Sequence, residues 1–372
     1  MTTSFVRSFS KIKDPRVNRT KQHYILDIIA LVIMAFMAGA VNFEEIEDFG
    51  KAHKDWLKQF LWLPNGIPSH DTIGRLFAHL NPKEFQTAFL DWLVSIKSMV
   101  PETVIPIDGK TLRGSHRVSR NLKPFHVVSA WSHANGLSLG QLKVDSKTNE
   151  IMAIPELLKQ LVIEGAIITI DALGCQKEIV KAICDKKCDY VLSVKGNQKS
   201  LFEGIRDCFD NAETVDSIAE SEVVSKHNRI EKRSVQVLDS CVLEGVVNLH
   251  EWKSLNSIVK LTYSSTTKST GLKTTENRYY ISSLRYQDAP RILSAIRSHW
   301  SIESMHWSMD VSYGEDSCRI RNETTALNFA WMRKMSLSML KAETSFKRAS
   351  IRRKQLKLWG TPDYFLTVFR AI

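Results

Sequence analysis

The chain has 372 residues, more than one ordinary hydrophobic core accommodates, so two or three domains are expected. Hydrophobic residues make up 43% and charged residues 24%, a globular mixture that excludes a low-complexity chain or one embedded wholly in a membrane. The formal net charge of +11 points to a polyanionic partner, with nucleic acid first among the candidates, although basic composition alone is weak evidence.

The opening "MTTSFVRSFSKIKDPRVNRTK" carries basic residues with no apolar run behind them, so no secretory leader is expected and the cytoplasm is the expected compartment. "IIALVIMAFMAGAV", residues 28–41, is nearly unbroken apolar sequence, but at 14 residues it is short for a membrane span. It reads as the core helix of an N-terminal helical domain over residues 1–100, with no membrane as partner. "NFEEIEDFGKAHKDWLKQFL" has apolar positions at helical spacing and breaks at "LPNGIPSHD". "SHDTIGRLFAHL" then resumes a helix, with Ser69 or Asp71 as its cap. Two helices around a Gly-containing turn fit a DNA-binding helix-turn-helix or, more commonly, a plain bundle.

From residue 101 the texture changes. "TVIPID", "FHVVSAWSH" and "LSLGQLKVD" read as successive antiparallel strands. The helix "EIMAIPELLKQLV", strand "AIITID", helix "QKEIVKAICDKK", strand "YVLSVKG" and helix "NQKSLFEGIRDCF" follow. Three strands and then alternating helix and strand is the order an RNase H-like core requires, an α/β mixed sheet flanked by helices, here over residues 101–213. Residues 214–284 are β-rich around the polar loop "STTKSTGLKTTEN" and are expected to form an inserted subdomain. Helical periodicity returns over residues 289–311 and in "NETTALNFAWMRKMSLSMLKAE", which would complete the core over residues 285–345. "KRASIRRKQLK", with six basic residues and no acid, marks 346–372 as a basic tail. The six cysteines form no CxxC pair, so reduced thiols are expected rather than zinc ligands.

The candidate chemistry lies in three acids. Asp108 in "VIPIDGKTLRGS" and Asp171 in "AIITIDALGCQKEI" each end an apolar strand before a turn, where both face a common sheet edge. Two carboxylates so placed repel unless a cation neutralises them, and Mg2+, with Mn2+ as substitute, suits clustered oxygen donors. On the late helix His299, Glu303, His306 and Asp310 follow i, i+4, i+7, i+11 spacing and share one face. Ile302, Trp307 and Met309 lie on other faces and are expected to pack. Two bland readings stay open for this helix. Its Glu303–His306 unit has the Glu-x-x-His form of di-iron bundles, for which the chain offers no second copy, and a solvated helix also shows a polar stripe.

"IDGKTLRGS", "IDALGCQ", "VKGNQ", "HNRIEKR" and "SHWSIESMHWSMDVSYGEDSCRIRN" together resemble the transposases of bacterial insertion sequences, in the H-repeat-associated branch found near Rhs elements. "HYILDIIALVIMAFMAGAVNFEEIEDFG" and "IPSHDTIGRLF" extend the resemblance over nearly the whole chain. It implies a DDE enzyme on an RNase H-like fold, with the family's Asp, Asp and Glu at Asp108, Asp171 and Glu303. It also implies double-stranded DNA as partner, at transposon ends and at the target, and a homodimer around paired ends. In two-metal phosphodiester chemistry the ions stand about 3.5–4 Å apart. Asp108 would bridge both, with Asp171 and Glu303 each completing one site. Water would attack first at the transposon end, and the freed 3′-hydroxyl would then attack target DNA. Lys110, Arg113, Lys195, Asn197, Gln198, Arg297 and His299 are the expected DNA contacts, with His306, Asp310 and Asp316 in support. One departure stands out. The wider superfamily places Tyr, Arg, Glu and Lys along the glutamate helix, where this chain has Ile296, His299, Glu303 and Asp310. A nuclease that cuts without joining, or a catalytically decayed DNA-binding relic or regulator, are the other readings.

Overall fold

Apolar side chains at almost every position from 25 to 37 leave α2 (Ile25–Met37) without a solvent face, and it is buried along its whole length. It belongs to an N-terminal layer of helices with α1 (Thr3–Phe9), α3 (Phe43–Ala52), α4 (Lys54–Leu57), α5 (His70–His79) and α6 (Pro82–Ile96). Asn42 caps α3 by accepting from the Glu45 N–H, and Glu45 reaches back to the Val41 N–H at 2.9 Å. Of the two candidate caps for α5, Ser69 is the one used, accepting from the Thr72 N–H. The computed structural model describes residues 3–96, 103–112, 125–144, 150–226 and 228–371.

The next segment builds the sheet. β1 (Val104–Leu112), β2 (Phe125–Ser132) and β3 (Leu137–Val144) form an antiparallel meander. After α7 (Glu150–Gln160), β4 (Ile167–Ile170) returns parallel to β1, and after α8 (Lys177–Asp185), β5 (Asp189–Val194) lies parallel to β4. The order β3-β2-β1-β4-β5, with only β2 reversed among its neighbours' directions, is the RNase H-like arrangement expected from the strand order. α9 (Lys199–Asn211) follows, then β6 (Ser217–Glu220), β7 (Val224–Lys226), β8 (Arg229–Asp239), β9 (Ser257–Thr267) and β10 (Lys273–Ser282).

The strands of 214–284 join the core sheet rather than forming a separate one. β10 pairs antiparallel with β5, Tyr279 opposite Val194 and Ser282 opposite Val191, and β9, β8 and β6 continue outward. Without β10, β5 would present an unpaired row of backbone donors and acceptors at the sheet's edge. The result is a ten-stranded mixed sheet.

α10 (Ala289–Tyr313) crosses the sheet face and ends at Gly314, whose φ of +57° supplies the left-handed cap. α11 (Glu323–Ala342) is buried from Phe329 to Leu340 and packs against α2 and α5 on one side and β3 on another. One apolar cluster therefore runs from Phe9 and Phe36 through Phe329 and Trp331 to Ile105 and Ile168. Among the described residues no helix is long and apolar enough to cross a membrane.

Residues 346–372 are not a free basic tail. They fold into α12 (Ile351–Gly360) and α13 (Tyr364–Arg370), with Leu358 and Phe365 fully buried and Trp359 against Phe49. The lock is Glu343, whose carboxylate lies 3.2 Å from the Lys354 ammonium and accepts from Tyr364 Oη at 2.5 Å. Burial pushes its carboxyl up, but hydrogen bonds from Ser345, Tyr364, the Phe346 N–H and Lys354 outweigh that and bring it to about 2. A carboxyl lowered on folding contributes stability above its unfolded value of 4.5, and this is lost as pH falls toward 2. Glu343→Ala leaves the buried Lys354 ammonium with the backbone carbonyls of Leu340 and residue 343 but without its countercharge. The expected loss is about 3–5 kcal/mol in urea unfolding at pH 7, with the difference from the parent narrowing below pH 4.5.

Candidate active site

The parallel pairing of β1 with β4 runs from Val104 opposite Ile167 to Ile107 opposite Ile170. One step further in the same register stand Asp108 and Asp171, side by side at the point where the two strands part. Asp171 follows the end of β4 and caps the short turn Ala172–Gly174 by accepting from the Leu173 N–H at 3.1 Å. Asp108 differs from the expectation of a strand end. β1 continues beyond it, paired with β2 as far as Leu112 opposite Phe125, so Gly109 occupies a strand position and not a turn. The reason for glycine there is spatial. A Cβ at 109 would lie 2.5 Å from His126 Nε2 and 2.6 Å from Glu150 Cδ. His126 and Glu150 form a buried pair, Nε2 to Oε1 at 2.5 Å, with Thr111 Oγ1 3.0 Å from the other ring nitrogen.

α10 lays its polar face over these strands. His299 Nδ1 stands 3.0 Å from Thr169 Oγ1 on β4, and His306 Nδ1 stands 3.5 Å from Asp108 Oδ2 on β1. Glu303 sits between them, one turn from each. Burial pushes the Asp171 carboxyl above its ordinary value, and the negative charge of Asp108 pushes it further. Glu303 is raised for the same two reasons, burial first and Asp108 second, although its side chain opens to solvent. Burial lowers the His299 imidazole below its ordinary value, partly opposed by Asp108 and Asp171. The charge of Asp108 thus weighs on both Asp171 and Glu303 at an open face, a repulsion that a hard divalent cation would relieve, and an all-oxygen donor set suits Mg2+. By chemistry and register the residues fit such an ion. Among the described residues, no three acidic, His or Cys side chains stand, as placed, in a group that could hold a metal ion.

The tryptophans of this helix do not pack as expected. Ile302, Met305 and Met309 are fully buried, whereas Trp300 and Trp307 are 51% and 63% exposed. The buried side of α10 carries its isoleucines and methionines and ends on Tyr313. Its polar stripe meets the sheet's acids at the rim, and the indoles face outward.

Several expected DNA contacts have other partners. Lys110 turns inward to Asp310, to Glu315 at 2.7 Å and to Asp316 at 3.9 Å, and only 13% of its side chain is exposed. It braces β1 against the C-terminal end of α10. Asn197 donates to the Ala172 carbonyl at 2.6 Å, and Gln198 to the Cys175 carbonyl at 3.0 Å. Both clamp the turn that carries Asp171. Lys195 is exposed at the same strand end, next to that clamp. Arg297 faces away from the acids, in a cleft with Ile218, Glu220 and Leu293. Arg113 lies outside the described residues. Lys110→Met strands the buried Glu315 without its cation, with an expected cost of about 3–5 kcal/mol in unfolding. A lysine that bound phosphate would also reduce the salt slope of DNA binding by about one. Here that slope, from filter binding between low and moderate salt, should stay unchanged.

The sequence reading missed His126, Glu150, Gln141, Glu315 and Lys334. His126 alternates with Val128 and Ala130 along β2, and Lys334 interrupts the apolar "FAWMRKMSL"; a polar residue on a core face was the available signal.

Comparison with known proteins shows the family. Residues 6–93 match the family described as DDE_Tnp_1-associated, and residues 100–339 match the family described as Transposase DDE domain. The chain is 39% identical to the "H repeat-associated putative transposase YhhI" of Escherichia coli K12, over 96% of each chain. It is 38% identical to the "Putative transposase YncI" of Escherichia coli O157:H7, over 95% of this chain and 91% of that one. Among solved structures, a cryo-EM structure of a piggyBac transposase synaptic complex with hairpin DNA matches at a TM-score of 0.49 and 11% identity, over 99% of this chain and 77% of that one. With the Transposase DDE domain spanning the sheet and α10, and relatives matched nearly end to end, the chain belongs to the DDE transposase family, with H-repeat-associated transposases among its relatives.

Proposed function

We propose that this protein is an active transposase that cuts DNA at the ends of an insertion sequence and joins the freed 3′-hydroxyls to target DNA. The observation that carries the reading is the register of β1 and β4, which sets Asp108 beside Asp171 under the helix bearing Glu303. Divalent ions held there would activate the attacking oxygen and stabilise the leaving one. The protein's own contribution is position. Asp108 is fixed within β1, opposite Ser129 of β2 and one residue past the last pairing with β4, and Asp171 is held by its cap to Leu173 and by the clamp from Asn197 and Gln198. The exposed indoles of Trp300 and Trp307 bracket Glu303 and offer stacking faces to bases near the scissile bond. A homodimer on paired ends, in the cytoplasm, completes the proposal.

The test is an incubation of the purified chain with linear DNA ending in its element's termini, a supercoiled target and Mg2+. Cleaved ends and their covalent joining to the target support the reading. Cleavage without joint molecules identifies a nuclease. Binding with neither product, in Mg2+ or Mn2+, identifies a relic and overturns the proposal.

A further inference from the structure

Beneath Asp108 lies a small polar cavity that the catalytic acids do not line. Its walls carry Lys110, Ser129, Gln141, His306, Glu315 and Lys334, and it leaves about 10 Å³ for the centre of a water molecule, which is room for one. Three buried polar atoms at these residues have no hydrogen-bond partner among the described residues: His306 Nε2, Gln141 Nε2 and Glu315 Oε1. Left unmade, each would cost about 1–3 kcal/mol. Gln141 and Glu315 are 3% and 4% exposed, so bulk solvent does not reach them.

The chemistry of the walls determines what fits. The Lys334 ammonium donates to Gln141 Oε1 at 2.6 Å, which fixes that amide with its NH2 group toward the cavity. Lys110 donates to Glu315 Oε2, leaving Oε1 as an acceptor. An occupant must therefore accept from Gln141 and donate to Glu315. A water molecule does both and has one proton left, which His306 Nε2, the third unpartnered atom of these walls, is placed to take. That assignment makes Nε2 an acceptor and puts the ring proton on Nδ1, the nitrogen 3.5 Å from Asp108 Oδ2.

We propose that one buried water, bound by Gln141, Glu315 and His306, locks the His306 tautomer so that its Nδ1–H steers the Asp108 carboxylate. His306, Gln141 and Glu315 are then positioning residues for the site, an outer layer that orients a ligand without touching DNA. The inference rests on Asp108 being a metal-binding residue of the active site.

Two measurements on the full-length chain test it. A crystal structure at about 1.5 Å should show a water peak within hydrogen-bond distance of all three atoms. Isothermal titration with Mn2+ should show Gln141→Leu and His306→Ala weakening binding about 10- to 100-fold. His306→Asn, which keeps an N–H near the position of Nδ1, should stay within about threefold of the parent. Asp108→Asn, run alongside, separates the two levels. Unchanged Mn2+ binding in Asp108→Asn overturns the active-site reading itself. Loss of binding in Asp108→Asn together with parental binding in Gln141→Leu and His306→Ala overturns the water lock alone, as does an empty cavity in the crystal. If Gln141→Leu fails to fold, the contrast between His306→Ala and His306→Asn decides the matter.

Discussion

Asp108→Asn should reduce cleavage at the element's ends by about 10³-fold or more while leaving the fold intact. The substitution conserves shape within β1, so the pairings of Ile107 with Ala130 and of Gly109 with Val128 persist. What changes is charge. Asp108 is the acid whose negative charge raises both Asp171 and Glu303, so it stands electrostatically at the centre of the three. Its amide would relieve that repulsion, and the thermal midpoint should hold or rise slightly. Loss of activity with gain of stability is the mark of a residue kept for chemistry. Cleavage is read as nicked and cut products on a denaturing gel, at saturating Mg2+. Activity above a tenth of the parent's would remove Asp108 from the mechanism.

The three acids were legible because each interrupts a strong local pattern. Asp108 and Asp171 each follow a run of apolar β-formers, and Glu303 falls in step with His299, His306 and Asp310. Helical spacing tells which residues share a face, but not which face meets the sheet. That is why Trp307 was expected to pack and instead points to solvent. Lys110 was misread for a related reason. A lysine beside a candidate catalytic aspartate suggests phosphate, and its partners Asp310 and Glu315 lie 200 and 205 positions away. The strands of 214–284 were recognisable one by one. Their membership in the core sheet depends on β10 meeting β5, a pairing that no local pattern encodes. The basic C-terminal segment hid its apolar face, Leu358, Phe365 and Val368, among arginines and lysines.

Gly109→Ala should be severely damaging for the addition of a single methyl. The new Cβ would enter the space of a buried hydrogen-bonded pair, 2.5 Å from His126 Nε2 and nearer still to Glu150 Oε1. A flexible surface glutamate would swing aside, but Glu150 is 6% exposed and bonded to His126, itself 4% exposed. If the carboxylate yields, a buried pair breaks at a cost of about 3–5 kcal/mol. If the strand yields, the backbone of β1 moves at the residue after Asp108, and a misplacement near 1 Å costs about 10²-fold in rate. Either response is visible. We expect a stability loss of about 3–5 kcal/mol in denaturant unfolding, a fall of about 10²-fold in end cleavage, or both. Glu150→Ala in the same chain removes the obstructing carboxylate. The double variant should therefore be less impaired than the sum of its parts, by about 1–3 kcal/mol of coupling. Strict additivity would mean that Gly109 and the His126–Glu150 pair do not share the space behind Asp108. Parental stability and cleavage in Gly109→Ala would show that the strand can be widened there without cost to the site.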